Sequence, residues 1–312
     1  MHQHVTTLPQ HTIAKPVRCS GIGLHSGRKV HLTCRPADED TGVVFHVRTD
    51  DGLRPLGLAP DKVVGTGLAT TLGGVEASVA TVEHLLAAVR GLGIDNIALE
   101  VEGGEVPIMD GSAASFVFLL RSAGIRAQSL PRRVLAVRRP LVMEQDGKRI
   151  EARPHDGFKV DYDIDFAHPL IGRQSMSVDV TPETFIRHLA KARTFGFLKE
   201  VEQLHKNGLA LGGSLDNAVV LDEYGVVNPE GLRFEDEFVR HKVLDFVGDM
   251  ALAPLPLTGH FVVSCSGHAM NNAFLRALTG AGDYVAEREL PLPEAAAEAV
   301  PQTRPQGMPV PA

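Results

Sequence analysis

The chain is poor in cysteine and has neither an excess of basic residues nor a long apolar run. Its three cysteines, Cys19, Cys34 and Cys265, are odd in number and lack C-x-x-C spacing. This argues against a disulfide scaffold or a thiolate zinc site and fits reduced thiols in a cytoplasm. The net charge of −7 argues against a nucleic-acid binder that relies on a basic surface. The sequence contains no run of 18 apolar residues, so it predicts no membrane-spanning helix. The first ten residues lack the apolar core of a signal peptide.

What is present indicates a globular protein of 312 residues, 44% hydrophobic and 22% charged, long enough for two domains with cores of their own. Each half reads as strands plus two helices, which predicts an α+β fold of two similar domains, each a β-sheet layered on a helix pair. The interface between such halves is the natural place for an active-site cleft. We predict domains at residues 1–130 and 131–288 and a disordered tail at 289–312.

Local patterns place several elements. Alternating apolar and polar residues predict strands at 29–34 and Phe158–Phe166, and Asp146-Gly147 predicts a hairpin turn. Thr181 before Pro182 is typical of a helix start. Residues 129–133 read as a linker between the halves.

The stretch D-E-F-V-R-H-K-V-L-D-F-V-G-D, residues 236–249, has an apolar face at helical spacing. His241 and Asp245 are four residues apart, so on a helix both could bind one metal ion. For an isolated H-x3-D spacing, a surface His–Asp pair is the simpler interpretation. A second helix-like segment, T-V-E-H-L-L-A-A-V, places Glu83 directly before His84.

If His84, His241 and Asp245 meet, two imidazoles and one carboxylate leave a fourth position open on zinc, as in hydrolytic sites. Glu83 could then take the proton of a metal-bound water. Amide hydrolysis also needs oxyanion stabilisation and a proton for the leaving amine. Residues of the right type for these tasks are Thr194, Lys242 and His268, although a loop hydroxyl, a surface charge and a strand-end residue explain them equally.

Eight ordered motifs between about residues 12 and 280 connect the chain with a known family. They are G-I-G-L-H-S-G, S-V-A-T-V-E-H-L, G-L-G-I-D-N, I-M-D-G-S-A-A, A-R-T-F-G-F, G-G-S-L-D-N, L-R-F-E-D-E-F-V-R-H-K-V-L-D-F-V-G-D and S-G-H-A-M-N-N. Through them the chain closely resembles the UDP-3-O-acyl-N-acetylglucosamine deacetylases of lipid A biosynthesis.

The resemblance implies a zinc-dependent amidase with its active site between two similar α+β domains, and Fe²⁺ is an alternative metal in the cell. By motif, the zinc ligands are His84, His241 and Asp245. Glu83 is then the general base, and His268 the general acid, oriented by Asp249. The resemblance further assigns Thr194 to the oxyanion and Lys242 to the substrate.

The same resemblance implies the substrate contacts. Phe195 and Phe197 would lie beside the glucosamine, Phe166 near the uridine and His25 near the site. An insert at about 194–217 would form an apolar passage for the fatty acyl chain, lined by Leu209, Leu211 and Leu215. Leu68 stands where some relatives carry a cysteine, so the passage shape is expected to differ.

The expected reaction is hydrolysis of the N-acetyl group of UDP-3-O-(3-hydroxyacyl)-N-acetylglucosamine to the free amine and acetate, the committed step of lipid A biosynthesis. We expect a cytoplasmic monomer that binds no nucleic acid and has at most peripheral membrane contact. A zinc hydrolase acting on another sugar-nucleotide amide or ester is the alternative enzyme. A non-catalytic sugar-nucleotide or lipid-binding protein is the alternative of a different class.

Overall fold

A computed structural model of the chain describes residues 7–74, 76–280 and 282–291. Of the predicted tail, residues 289–291 are described: the carbonyl of Leu290 accepts a hydrogen bond from the backbone N–H of Leu8, and its N–H donates to the carbonyl of Arg132. Residues 292–312 lie outside the described residues. No helix in the described ranges has the length and apolar character needed to cross a membrane.

The described residues form a mixed α/β fold. The helices are α1 Glu83–Gly91, α2 Ala114–Ser122, α3 Pro182–Thr184, α4 Leu198–Lys206, α5 Glu237–Met250 and α6 His268–Gly280. A 3₁₀ turn spans Pro60–Lys62, and a π-helical segment, Phe185–Leu189, continues α3. The strands are β1 Pro9–Ile13, β2 Val17–Ile22, β3 Lys29–Pro36, β4 Val43–Thr49, β5 Gly52–Gly57, β6 Val63–Gly65, β7 Thr71–Gly73, β8 Ser78–Val79, β9 Ile97–Glu102, β10 Ile125–Pro131, β11 Arg133–Val137, β12 Leu141–Gln145, β13 Lys148–Arg153, β14 Phe158–Phe166, β15 Gly172–Asp179, β16 Phe195–Phe197, β17 Val219–Leu221, β18 Leu257–Ser264 and β19 Val285–Glu289.

The first half of the described chain builds a five-stranded sheet in the order β2-β3-β9-β4-β5. β4 and β9 run parallel, and the other neighbours are antiparallel. Alternation in β3 buries Val30, Leu32 and Cys34 on one face, as the sequence pattern predicts. The sheet therefore has an apolar face on which a helix can pack.

The second half builds a seven-stranded sheet around β18. β18 pairs antiparallel with β13 and parallel with β11 and β14. The hairpin predicted at Asp146-Gly147 is confirmed, because β12 and β13 pair around this turn and both turn residues have positive φ, 50° and 76°. The expected linker at 129–133 is instead strand: β10 pairs with β1, and β11 begins at Arg133.

Helices α1 and α5 pack against each other, and α6 packs on α5. At Gly248 the contact leaves no room for a side chain, because a Cβ would lie 2.1 Å from the carbonyl oxygen of Glu83. Only a glycine lets two helix backbones approach this closely. The approach sets the start of α1 beside the second half of α5, so residues 83–84 and 241–249 become neighbours. The division into two similar domains stays a prediction.

Candidate active site

Two helices bring the three predicted metal ligands together. His84 lies in the first turn of α1, and His241 and Asp245 lie one turn apart on α5. Asp245 Oδ1 is 3.5 Å from Nε2 of His84 and 3.2 Å from Nε2 of His241. One ligand atom from each residue lies within 4.8 Å of the other two, and each residue is no more than 4% exposed.

Neighbouring groups hold His241 and Asp245 in orientations that suit the binding of a cation. His241 Nδ1 lies 3.1 Å from the carbonyl oxygen of Ala192, so a proton on Nδ1 leaves Nε2 free for a metal. Burial lowers the pKa of His241 to about 3, so its imidazole is neutral, the form that binds metals. Asp245 Oδ2 accepts a 2.5 Å hydrogen bond from Lys242 Nζ.

The other carboxylate oxygen of Asp245 indicates whether the cluster fits a metal ion. Oδ1 is buried and accepts no hydrogen bond from any residue that the structure describes. Burial opposes the charge of Asp245, but its charged and hydrogen-bonding neighbours, Lys242 among them, hold its pKa well below the ordinary value. A buried, ionised oxygen beside the ring nitrogens of two imidazoles is a donor set that fits a divalent transition-metal ion.

Glu83 lies beside this cluster with its two oxygens in different environments. Oε2 accepts a 3.1 Å hydrogen bond from the backbone N–H of Thr70, and Oε1 lies 3.9 Å from His268 Nε2. Burial raises the pKa of Glu83, and the neighbouring His268 and His84 oppose this rise. One oxygen is thus held in place while the other remains available to accept a proton.

His268, the first residue of α6, is paired with Asp249. Its Nδ1 lies 2.8 Å from Asp249 Oδ2, which also accepts from Asn271 Nδ2 at 2.8 Å. Burial alone would lower the pKa of His268, but the Asp249 carboxylate raises it to about 10. The imidazole is therefore charged at neutral pH, as a proton donor requires.

A cavity of about 250 Å³ opens onto these groups. It is lined by most of the residues predicted for the site and by several others: Leu24, Leu68, Thr81, Glu83, His84, Phe166, Thr194, Phe195, Gly196, Phe197, Glu200, His241, Lys242, Asp245, Ser266 and His268. Phe166 stands at one wall with its ring 5.6 Å from Phe195 and 6.3 Å from Phe197, centroid to centroid. The cavity thus joins the ionisable cluster to an aromatic wall.

Asp249 and four of the predicted contacts, His25, Leu209, Leu211 and Leu215, lie outside the lining of this cavity. His25 follows β2 in the glycine-rich loop, where its backbone N–H donates to Glu105 Oε1 and Leu24 faces the cavity instead. Both ring nitrogens of His25 are buried without a partner in the described part of the chain. The segment with Leu209, Leu211 and Leu215 crosses this loop, where Leu211 N–H donates to the carbonyl of His25.

Some residues that hydrogen-bond to the groups of the site, or to the segments that carry them, were not predicted from the sequence. Thr70 touches both Glu83 and Asp249, and Glu105 accepts hydrogen bonds from the glycine loop and from Thr81, which precedes α1. Asn271 stands in the motif S-G-H-A-M-N-N, so that motif could have indicated it. No local pattern marks Thr70, because its partners are distant in the sequence.

Comparisons with known proteins identify relatives of the chain. The family model described as "LpxC: UDP-3-O-acyl N-acetylglycosamine deacetylase" matches residues 10–280. The chain is 62% identical over 301 residues to a UDP-3-O-acyl-N-acetylglucosamine deacetylase of Oleidesulfovibrio alaskensis, covering 96% of this chain and 99% of the relative. It is 64% identical over 286 residues to the enzyme of that name from Nitratidesulfovibrio vulgaris, covering 91% and 92%. For that of Lawsonia intracellularis the identity is 54% over 271 residues, covering 87% and 89%.

Proposed function

The chain belongs to the UDP-3-O-acyl N-acetylglycosamine deacetylase family, and we propose that it hydrolyses the N-acetyl group of UDP-3-O-(3-hydroxyacyl)-N-acetylglucosamine in lipid A biosynthesis. The products are the free amine and acetate. The observation that carries the proposal is the cluster of His84, His241 and Asp245 with a carboxylate oxygen left without a hydrogen bond, directly beside Glu83.

The metal of the proposed reaction is Zn²⁺, held by His84, His241 and Asp245. When bound, such an ion supplies a water of lowered pKa and a positive charge for the carbonyl oxygen. Lys242 fixes the other oxygen of Asp245 and so presents Oδ1 towards the two imidazoles. The mixed imidazole and carboxylate set also suits Fe²⁺.

Glu83 is the proposed general base. Its Oε1 carries no hydrogen bond in the described structure, so it can accept the proton of the attacking water. Burial makes this carboxylate a stronger base than one in solvent, because its pKa is raised.

His268 is the proposed general acid, and Asp249 its positioning partner. The imidazolium faces Glu83 across the site and would protonate the departing amine. Thr194, which lines the cavity, would donate a hydrogen bond from its hydroxyl to the oxyanion. Lys242, which lines the same cavity, would contact the substrate.

The aromatic wall fits the sugar nucleotide. Phe195 and Phe197 would contact the glucosamine and Phe166 the uridine, while Leu68, exposed at 49% on the cavity, would meet the acyl chain. Leu209 and Leu215 would extend this apolar path over the glycine loop, next to His25. All of these contacts are proposals that rest on the family membership.

The division into domains and the location in the cell belong to the same proposal. The ligands come from helices in both halves of the chain, which supports two α+β domains, residues 1–130 and 131–288, with the site between them. A cytoplasmic monomer that binds no nucleic acid, with at most peripheral membrane contact, stays a prediction.

The test is release of acetate from the acylated UDP-N-acetylglucosamine, with and without a chelator and after zinc is added back. We expect chelation to stop the reaction and zinc to restore it. Substrates that differ only in the acyl chain separate this activity from a hydrolase of another sugar-nucleotide amide. No acetate from folded, zinc-loaded protein would overturn the proposal.

The Glu83→Gln variant separates catalysis from metal binding. The amide keeps the shape of the side chain but cannot take a proton, so we expect turnover to fall about 10²–10⁴-fold. Zinc content should stay at the wild-type level, measured by atomic absorption on the same sample. A Glu83→Gln variant with full turnover would remove Glu83 from the base role.

A further inference from the structure

Thr70 connects the two carboxylates of the site that bind no metal in the proposed function. It directly precedes β7 and is 1% exposed. Its backbone N–H donates to Glu83 Oε2 at 3.1 Å, and its hydroxyl donates to Asp249 Oδ1 at 2.7 Å. Its carbonyl accepts from the backbone N–H of Val82, just before α1, at 3.3 Å.

We propose that Thr70 is a positioning residue that fixes Glu83 and the Asp249–His268 pair relative to each other. The proposal rests on the proposed function, in which Glu83 takes a proton and His268 gives one. Both groups must hold their geometry at the same reacting centre, and small displacements of such groups cost rate. Thr70 is the described residue that hydrogen-bonds to both carboxylates.

The hydroxyl acts on Asp249. Asp249 Oδ2 accepts from His268 and Asn271, whereas Oδ1 accepts from Thr70. Without the hydroxyl, Oδ1 would be a buried carboxylate oxygen without a donor, which is strongly unfavourable. The carboxylate would then rotate towards another donor and loosen its bond with His268.

The backbone N–H of Thr70 holds Glu83, whereas its hydroxyl holds Asp249. Because different atoms make the two contacts, they can be tested separately. Every residue except proline keeps the N–H at position 70, so a side-chain substitution leaves the bond to Glu83 Oε2 in place. The side chain alone therefore reports the link to Asp249 and, through it, to His268.

The decisive variants are Thr70→Val, which removes the hydroxyl at nearly constant volume, and Thr70→Ser, which keeps it. For Thr70→Val we expect kcat to fall about 10–100-fold with KM and zinc content close to wild type, and we expect Thr70→Ser to stay within about threefold. The matched control is Thr258→Val in β18. Thr258 is also buried, but its hydroxyl has no partner within the described chain, so the kinetics should not change.

A second readout is independent of turnover. The imidazole of His268, assigned by its absence in His268→Gln, is titrated by NMR in the full-length, zinc-loaded protein. In Thr70→Val the titration should move to lower pH by at least about half a pH unit, because Asp249 no longer holds its position. Thr70→Ser and Thr258→Val should titrate like the wild type.

Two results would overturn the proposal. One is wild-type kcat in Thr70→Val, and the other is a loss of turnover that follows zinc content or melting temperature while the His268 titration stays in place. If the wild type releases no acetate, the proposed function fails. The titration would still report on the link between Thr70 and His268 in that case.

Discussion

At the scale of single residues, Asp249 decides the charge of His268. Burial would lower the pKa of this imidazole, but the carboxylate 2.8 Å away raises it to about 10 from an ordinary value of 6.5. A group whose pKa is raised on folding stabilises the native state fully below its ordinary pKa. That contribution is lost as the pH rises through the folded value.

The Asp249→Asn variant tests this charge. In the zinc-loaded wild type, we expect the free energy of unfolding to decrease as pH rises from about 6.5 towards 10, and the variant to show a flatter dependence. Urea titrations at several pH values measure both. Equal slopes in the two proteins would show that Asp249 does not hold the proton on His268.

At the scale of elements, the packing of α1 on α5 depends on Gly248. A methyl group there would meet the backbone of Glu83, with its carbonyl oxygen at 2.1 Å. For Gly248→Ala we expect a loss of about 1–3 kcal/mol in the free energy of unfolding, since backbone atoms cannot move aside as a flexible side chain can. Turnover should also fall, because the displaced backbone carries Glu83.

The control for Gly248 is Gly280→Ala at the end of α6. No heavy atom of the described residues would lie within 4 Å of a Cβ at Gly280. Alanine is also the better helix former, so this variant should be neutral or slightly more stable. Urea denaturation compares the two, and an equal effect at both positions would contradict the packing argument.

A buried ion pair fixes the loop that carries Thr194. Arg193, with 1% of its side chain exposed, donates to both oxygens of Glu237, the first residue of α5 and fully buried. Removing the charge of Glu237 leaves the buried Arg193 with a single charged partner among the described residues, Glu230, whose side chain is 55% exposed. A glutamine amide would also meet the backbone N–H groups of Arg193 and Arg233, which now donate to the Glu237 carboxylate. We therefore expect Glu237→Gln to lower the free energy of unfolding by about 3–5 kcal/mol, as measured by chemical denaturation.

An exposed pair of the same chemistry is the reference. Arg187 and Glu183 form a salt bridge four residues apart, with 64% and 73% of their side chains exposed. Glu183→Gln should cost no more than about 0.5 kcal/mol, because solvent screens such pairs. If the two variants cost the same, burial is not what makes the Arg193–Glu237 pair matter.

Elements with a strong local pattern were predictable from the sequence. Strand β14 has the predicted bounds, because alternation along Phe158–Phe166 is regular, and Thr181 caps the next helix through its hydroxyl as expected. The pattern failed at 129–133, where Ser-Leu-Pro-Arg-Arg has no apolar face. Residues up to Pro131 are extended because β1, more than a hundred residues earlier, pairs with β10, and Arg133 is extended because it pairs with Glu289 of β19. No local rule contains these partners.

The site was predictable only where its residues belong to a motif. The structure brings together His84, His241 and Asp245 and sets Glu83 and His268 nearby, as the resemblance implied. The supports from Thr70 and the Ala192 carbonyl come from tertiary packing of distant segments, one of them through a backbone atom. A sequence pattern carries no information on such contacts.

At the scale of the whole molecule, the proposed metal joins α1 to α5 and should stabilise the fold. A ligand that binds only the native state at about 100 times its dissociation constant contributes about 2.7 kcal/mol. We therefore expect chelation to lower the melting temperature of the wild type. The His84→Ala variant should melt lower and show little response to the chelator in the same scan, and a wild type that does not respond would argue against a resident metal.

The order of the ligands along the chain has a consequence for synthesis. About half of the 312 residues separate His84 from Asp245. A nascent chain whose first half has left the ribosome therefore presents one of the three ligands. At roughly 5–20 residues per second, several more seconds pass before α5 emerges. The proposed metal would thus be acquired late, after translation has delivered both helices, and a product truncated before α5 would lack two of the three proposed ligands.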